Sequence, residues 1–450
     1  MPSALLSRPF MSQAALESCR DEALVKSMLA FELALAEAHE QHGHMPDGTS
    51  QRMREVLEAH EFDVERIAAG VASGGNAAIP FVKQARATLP EELRRYWHLG
   101  ATSQDVIDSA LMHLLTPRLA RIDELLLRCR ESAIALMRCH SKTPMVGRTL
   151  MQQALPMAFG VKVAQWAMGL ESARRRLAAL STAGLPVQFG GAVGVHSGWG
   201  EQGLALMDDV AQRMGLATPV LPWHTDRQPV HALATAVDAI AGAADGLALD
   251  IALLTQTEVG EVSEPSAPGM GESSSMPHKR NPVRCARIRT AARRIHGHTG
   301  VIINAMAQPL ERGLGEWHAE WAPLSEMVLL LEGALELSAE LLEGLEVFPE
   351  RMRANLAITG GAIMAEPVAG LLAPQLGVDK ARMLASLASE QARQSSEAYS
   401  QVLERLLAEQ YPDVAGRVSL AELEKASDPA LYLGSSEAQV KRAVEWLDSF

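Results

Sequence analysis

The chain has 450 residues, 48% of them hydrophobic and 21% charged, with a formal net charge of −13. That length supports a large core and more than one domain. The acidic balance argues against a nucleic-acid partner, because no global basic field would attract phosphates, but a local pocket of Arg and Lys can still hold a small carboxylate.

No run approaches the roughly 18 uncharged apolar residues of a membrane span. The opening MPSALLSRPFMSQ lacks the basic start and long apolar stretch of a signal peptide. A cytoplasmic protein with no membrane association is expected. Cys19, Cys129, Cys139 and Cys285 form no C-x-x-C pair, which predicts neither a disulfide framework nor a metal cluster.

Aromatic residues make up only 4% of the chain and strand-type alternation is scarce, so helix is predicted almost throughout. Leu24, Met28, Phe31 and Leu35 mark an early helix, ended by the turn Gly43–Gly48. Leu115, Leu119, Ile122, Leu126 and Cys129 mark a second, and Trp166, Leu170, Ala173, Leu177 and Leu180 a third. The glycine-rich stretch from Ser181 to Gly200 is predicted irregular. Leu233, Val237, Ile240, Ala244, Leu247, Ile251 and Leu254 form the clearest stripe, with Ala on the other faces and only Asp238, Asp245 and Asp250 charged. A helix apolar nearly all round is buried, centrally or between subunits. A long helix-free loop follows over 260–277, and long loops in compact bundles are more often functional than decorative. A further stripe runs from Leu324 through Met327, Leu331, Ala334, Ser338 and Leu341 to Leu345. Ser436 and Gln439 fit a capping box opening a last helix.

Two segments offer chemistry. Gly100-Ala101-Thr102-Ser103-Gln104-Asp105 places hydroxyls at a helix start, which suits either a bound carboxylate or simple capping. Ser273-Ser274-Ser275-Met276-Pro277-His278-Lys279-Arg280-Asn281-Pro282 supplies hydroxyls, backbone N–H groups, a cation and an amide within ten residues. That set suits a carboxylate whose charge grows as its neighbouring carbon becomes a carbanion, although its composition alone also fits a mobile surface loop.

SSSMPHKRNP resembles the signature of the class II fumarase/aspartase superfamily, G-S-S-x-M-P-x-K-x-N, with Glu272 in place of the usual Gly. Gly100–Asp105 resembles that superfamily's G-x-T-S-x-D segment, Gly147–Ala154 its G-R-T-H-x-Q-x-A segment, and Glu311-Arg312 a later E-R pair. Asn355 to Gly360 and Tyr432-Leu433-Gly434 are also similar. The resemblance implies an all-α fold of three helical domains, placed at 1–110, 111–364 and 365–450. Their central long-helix bundle would assemble a homotetramer with active sites built from three subunits. It implies Ser273 as general base or acid at the α-carbon, with Lys279 and Asn281 holding the activating carboxylate. Thr102, Ser103, Gln104, Arg148, Gln152 and Arg312 would bind the carboxylates of a small polycarboxylate. No metal or organic cofactor is implied.

Two departures choose a branch of that superfamily. Leu150 stands where its lyases carry His, and Asn76–Phe81 replaces a second His-bearing stretch. A neutral nitrogen leaving group needs a proton donor, whereas a carboxylate is already ionised at neutral pH and adds or departs without one. The expected reaction is therefore lactonisation of a tricarboxylate diene by its own carboxylate. Pro222-Trp223-His224-Thr225 and the Trp317–Trp321 region also resemble the lactonising branch. The alternatives are an adenylosuccinate lyase-like carbon–nitrogen lyase releasing fumarate and an inactive helical scaffold. His224, His278 and His318 are read as structural before catalytic.

Overall fold

A computed structural model describes residues 5–266, 271, 276, 278–395 and 397–449, and the fold is all-α apart from two small two-stranded sheets. Its longest elements are the helices Ser103–Cys139, Phe159–Ala183, Gln228–Leu254, Val283–Ala305 and Glu316–Glu343. The first has 37 residues and extends about 55 Å. The stripe from Leu233 to Leu254 is buried at every position. Each of its helix's three charges has a partner: Asp238 accepts from His296 and Thr299, Asp245 from Arg289 and Arg293, and Asp250 from Trp166 and Lys162. Among the described residues, no helix is long and apolar enough to cross a membrane.

The chain divides into two compact units, each drawn from three stretches. The first comprises Met1–Leu127, Ser172–Asp245 and Arg287–Ser338. Its core includes Met28, Phe31, Leu57, Val106, Leu115, Val237 and Ile288, all fully buried. A charged cluster is buried with them. Arg227 forks to Asp108 (Nη1–Oδ2 2.8 Å) and to Glu320 (Nη2–Oε2 2.7 Å) and lies over the Trp223 ring. Trp317 Nε1 also donates to Asp108. Burial opposes the charge of Arg227, but Asp108 and Glu320 outweigh it and raise its pKa; burial lifts Glu320 above the ordinary carboxylate range despite Arg227.

The second unit comprises Arg128–Glu171, Gly246–Ala286 and Ala339–Phe450. Its C-terminal helices pack Leu356, Val368, Leu372, Leu384, Val402, Leu403 and Leu423 together. It also holds a hairpin that the helical reading did not anticipate: Pro144–Thr149 pairs antiparallel with Gln152–Ala158, closing at Thr149 opposite Gln152. The last helix, Ser436–Asp448, is present, but its capping differs from the sequence reading. Ser435 is the N-cap, because Ser436 Oγ donates to the Leu433 carbonyl and accepts from Ala158 N. The reciprocal capping box lies instead at Ser419 and Glu422.

In the first unit, fully buried His39 donates from Nε2 to the Leu99 carbonyl (2.9 Å). Its Nδ1 therefore accepts from His44 Nδ1, 2.9 Å away. Burial lowers its pKa from 6.5 to about 4. A histidine held below its unfolded value adds stability above pH 6.5 that is lost as pH falls towards 4. Urea unfolding of His39→Gln between pH 7 and 4 is expected to lose roughly 3 kcal/mol less over that window than the parent chain. Parallel pH curves for the two proteins would rule out this titration.

Candidate active site

The predicted carboxylate-binding segment is organised around Asp105, which is fully buried near the start of the Ser103–Cys139 helix. Its carboxylate accepts from Thr102 N (3.0 Å), Gln188 Nε2 (3.1 Å), Gly190 N (3.1 Å), Gly191 N (2.9 Å) and His224 Nε2 (2.7 Å). The bond to Thr102 N is one half of a capping box. The other half is missing among the described residues: Thr102 Oγ1 accepts instead from Arg312 Nη1 at 3.1 Å, and Arg312 Nη2 donates to the Ala192 carbonyl. Thr102 and Arg312, 210 positions apart, thus meet in one unit. Ser103 is half-buried beside them as the first helical residue. Gln104 is fully buried, and its amide nitrogen donates to the His224 carbonyl and to Asp108. Gly100 sits at φ +76°, and a Cβ there would lie 2.5 Å from Trp199 Nε1. That glycine is therefore required both by its backbone conformation and by close packing.

Arg148 and Gln152 belong to the hairpin of the second unit. The Arg148 guanidinium is clamped in two-pronged fashion by Glu261 (Nη2–Oε1 2.7 Å, Nη1–Oε2 3.0 Å), which is fully buried and also accepts from Asn355 Nδ2 at 2.7 Å. Gln152 is exposed beside the turn. The turn residues are Leu150 (φ +51°) and Met151 (φ +64°), and Leu150 is 96% exposed. Left-handed backbone at two non-glycine residues, both large and apolar, is costly, and such strain concentrates at functional sites.

Lys279 and Asn281 line a cleft of about 590 Å³ in the same unit, with Thr255, Gly260, Glu264, Gly271 and Phe348 on its walls. Ser273 lies outside the described residues. Asn281 N and, more weakly, Nδ2 donate to the Gly271 carbonyl. Arg280 reaches Ser266, Glu346 and the Glu264 carbonyl, and Arg284 reaches Glu340 and the Pro265 carbonyl. Lys279 has no ion-pair partner among the described residues, so it is the cation of this lining available to an anion. The first amides of the Val283–Ala305 helix are capped by a side chain: Glu264 accepts from Arg284 N (3.0 Å) and Cys285 N (2.8 Å).

His224 is the buried partner of Asp105, His278 is exposed in the Lys279 cleft lining, and His318 is exposed against Trp317 and Trp321. Sequence reasoning missed Asp105 as an organiser, Glu261 and Glu264. Asp105 carried a signal, since it closes the Gly100–Asp105 motif. Glu261 acts on partners 113 and 94 positions away and Glu264 on amides 20 and 21 positions away, and neither carried one.

The model of a family described as lyase matches residues 8–297. A 3-carboxy-cis,cis-muconate cycloisomerase of Bradyrhizobium diazoefficiens is 39% identical over 447 residues, covering 98% of both chains. A nitrosuccinate lyase of Streptomyces davaonensis is 40% identical, covering 94% of this chain and 90% of its own. The crystal structure of the 3-carboxy-cis,cis-muconate lactonizing enzyme from Pseudomonas putida superposes with a TM-score of 0.90 at 36% identity, covering 98% of each chain.

Asp105→Asn keeps the volume but turns an amide N–H₂ towards groups that are themselves donors. The substitution is expected to lower the unfolding free energy by about 3–5 kcal/mol, as for other broken buried charge networks. Denaturant titration of the variant checks this, and a loss below about 1 kcal/mol would contradict the organising role.

Proposed function

The chain belongs to this lyase family, the class II fumarase/aspartase superfamily, and from that premise we propose that it closes 3-carboxy-cis,cis-muconate to a carboxymuconolactone in aromatic catabolism by the β-ketoadipate pathway. The observation that carries the reading is the hairpin tip. Thr149, Leu150, Met151 and Gln152 offer no titratable group at the place where the superfamily's carbon–nitrogen lyases carry a histidine. A reaction without a basic leaving group needs no acid there.

One carboxylate of the substrate attacks the far carbon of a double bond conjugated to a second carboxylate. The C–O bond forms, the π pair moves towards that second carboxylate, and an aci-carboxylate results. The Lys279 ammonium and the Asn281 amide stabilise its added charge, and preorganised donors of this kind supply the largest share of many enzymes' rate enhancement. The α-carbon then takes a proton, with Ser273 or a nearby group as donor, and the conjugation to that carboxylate is lost. Ring closure is intramolecular, so holding the substrate's ends accounts for much of the rate. Thr102, Ser103, Gln152 and Arg312 are assigned to the remaining carboxylates, while Gln104, held by His224 and Asp108, and Arg148, held by Glu261, act by positioning their segments rather than by direct contact. The assembly is a cytoplasmic homotetramer of three-domain protomers in which separate protomers contribute motifs to each site.

A second reading is favoured by the nitrosuccinate lyase relative, because a nitro group also departs as a stable anion and leaves the hairpin tip unconstrained. Loss of the conjugated-diene absorbance of 3-carboxy-cis,cis-muconate on adding the protein supports lactonisation. Turnover of nitrosuccinate with an unchanged diene band would replace it. Lys279→Met is expected to lower kcat at least about 100-fold, the usual effect of deleting a charge-stabilising donor, without changing the unfolding midpoint. Full turnover in that variant would show that the charge is held elsewhere.

A further inference from the structure

A second cleft, of about 540 Å³, lies among the C-terminal helices of the second unit and shares no lining residue with the Lys279 cleft. It is formed in part by the Asn355–Gly360 similarity segment, which the proposed reaction leaves without a task. Leu356, Met364, Ala392 and Tyr399 give it apolar walls. The Tyr399 hydroxyl is committed to the Ala385 carbonyl at 2.9 Å, and burial pushes its pKa upward, so the neutral ring is what the cleft is built from. The neighbouring turn is tightly specified: Gly360 and Gly361 have φ of +60° and +86°, and a Cβ on Gly361 would collide with the Tyr399 ring.

The polar side of this cleft is unbalanced. Arg353 and Arg393 both line it, and neither has a hydrogen-bond or ion-pair partner among the described residues. Its two acidic side chains are occupied: Glu397 pairs with Arg405 at 3.4 Å, and Asp428 Oδ1 accepts from Ala430 N at 2.9 Å. With Glu397 engaged by Arg405, the lining holds two arginines without partners beside the carboxylate of Asp428.

We propose that this cleft is a binding site for a small monocarboxylate with an aromatic or branched apolar body. The body fills the Leu356–Met364–Tyr399 wall, and the carboxylate takes the guanidinium forks of Arg353 and Arg393. Planar guanidinium groups match carboxylate geometry, and the volume falls within the usual range for small-ligand sites.

Calorimetric titration of the full chain with benzoate tests the assignment, with acetate (charge without body) and benzyl alcohol (body without charge) as comparators. Benzoate is expected to bind with a Kd of about 0.1–1 mM, and at least about tenfold more tightly than either comparator. Its affinity is expected to be unchanged in Lys279→Met, which separates this cleft from the proposed reaction centre. The double variant R353Q/R393Q should bind at least about tenfold more weakly. Both arginines are exposed, so thermal melting of the double variant should match the parent. The proposal is overturned if benzoate does not bind, if R353Q/R393Q binds it as well as the parent, or if Lys279→Met abolishes binding.

Discussion

The first unit depends on a carboxylate that has been taken out of water without, among the described residues, a guanidinium or ammonium to meet it. Asp105 accepts five hydrogen bonds, three of them from backbone amides and one each from Gln188 and His224. A buried carboxylate left unmatched would be expensive, so saturation by oriented dipoles lets it stay there. Its position near the N-terminus of a 37-residue helix adds the favourable end of the helix dipole. These bonds tie three distant stretches, around residues 102, 190 and 224, to one point. They also give the Thr102 amide its partner, which leaves the Thr102 hydroxyl to Arg312.

One turn further along the same helix, Asp108 meets Arg227 and Trp317. Residues 104, 105 and 108 therefore form a polar face buried inside the unit. Such a face gains little net stability over well-packed hydrocarbon, because desolvation offsets much of the attraction. What it supplies is direction. Each bond has one geometry, so the helix cannot slide or rotate against the Gln188–Gly191 and Trp223–Arg227 segments without leaving charges unmatched. The Glu261 clamp on Arg148 plays the corresponding part in the second unit, where it fixes the hairpin strand to the residues that follow Gly260.

The long helices were legible because burial writes a periodic stripe into the sequence, and the stripe from Leu233 to Leu254 is buried as its spacing required. The superfamily was legible because its loop chemistry is compressed into ten consecutive residues. The hairpin was not. Its strands, PMVGRT and QQALPMA, hold few β-branched residues, and its turn uses Leu and Met where Asn and Gly would have announced it. The cap at Ser436 was misplaced by one residue because a tertiary bond from Ala158 N claims that hydroxyl. The Arg148–Glu261 and Asp105–His224 pairings span 113 and 119 positions, and nothing local in the sequence records a contact at that range.

The exposed, left-handed tip of the hairpin has an evolutionary consequence. Leu150 lends almost none of its surface to the interior of its own chain, so selection can exchange that side chain without re-equilibrating a core. A scaffold with a position of this kind can acquire or discard a proton-transfer group in one mutational step while its helices stay as they are. Divergence of reaction type inside a single architecture can then begin with the rewriting of one protruding residue.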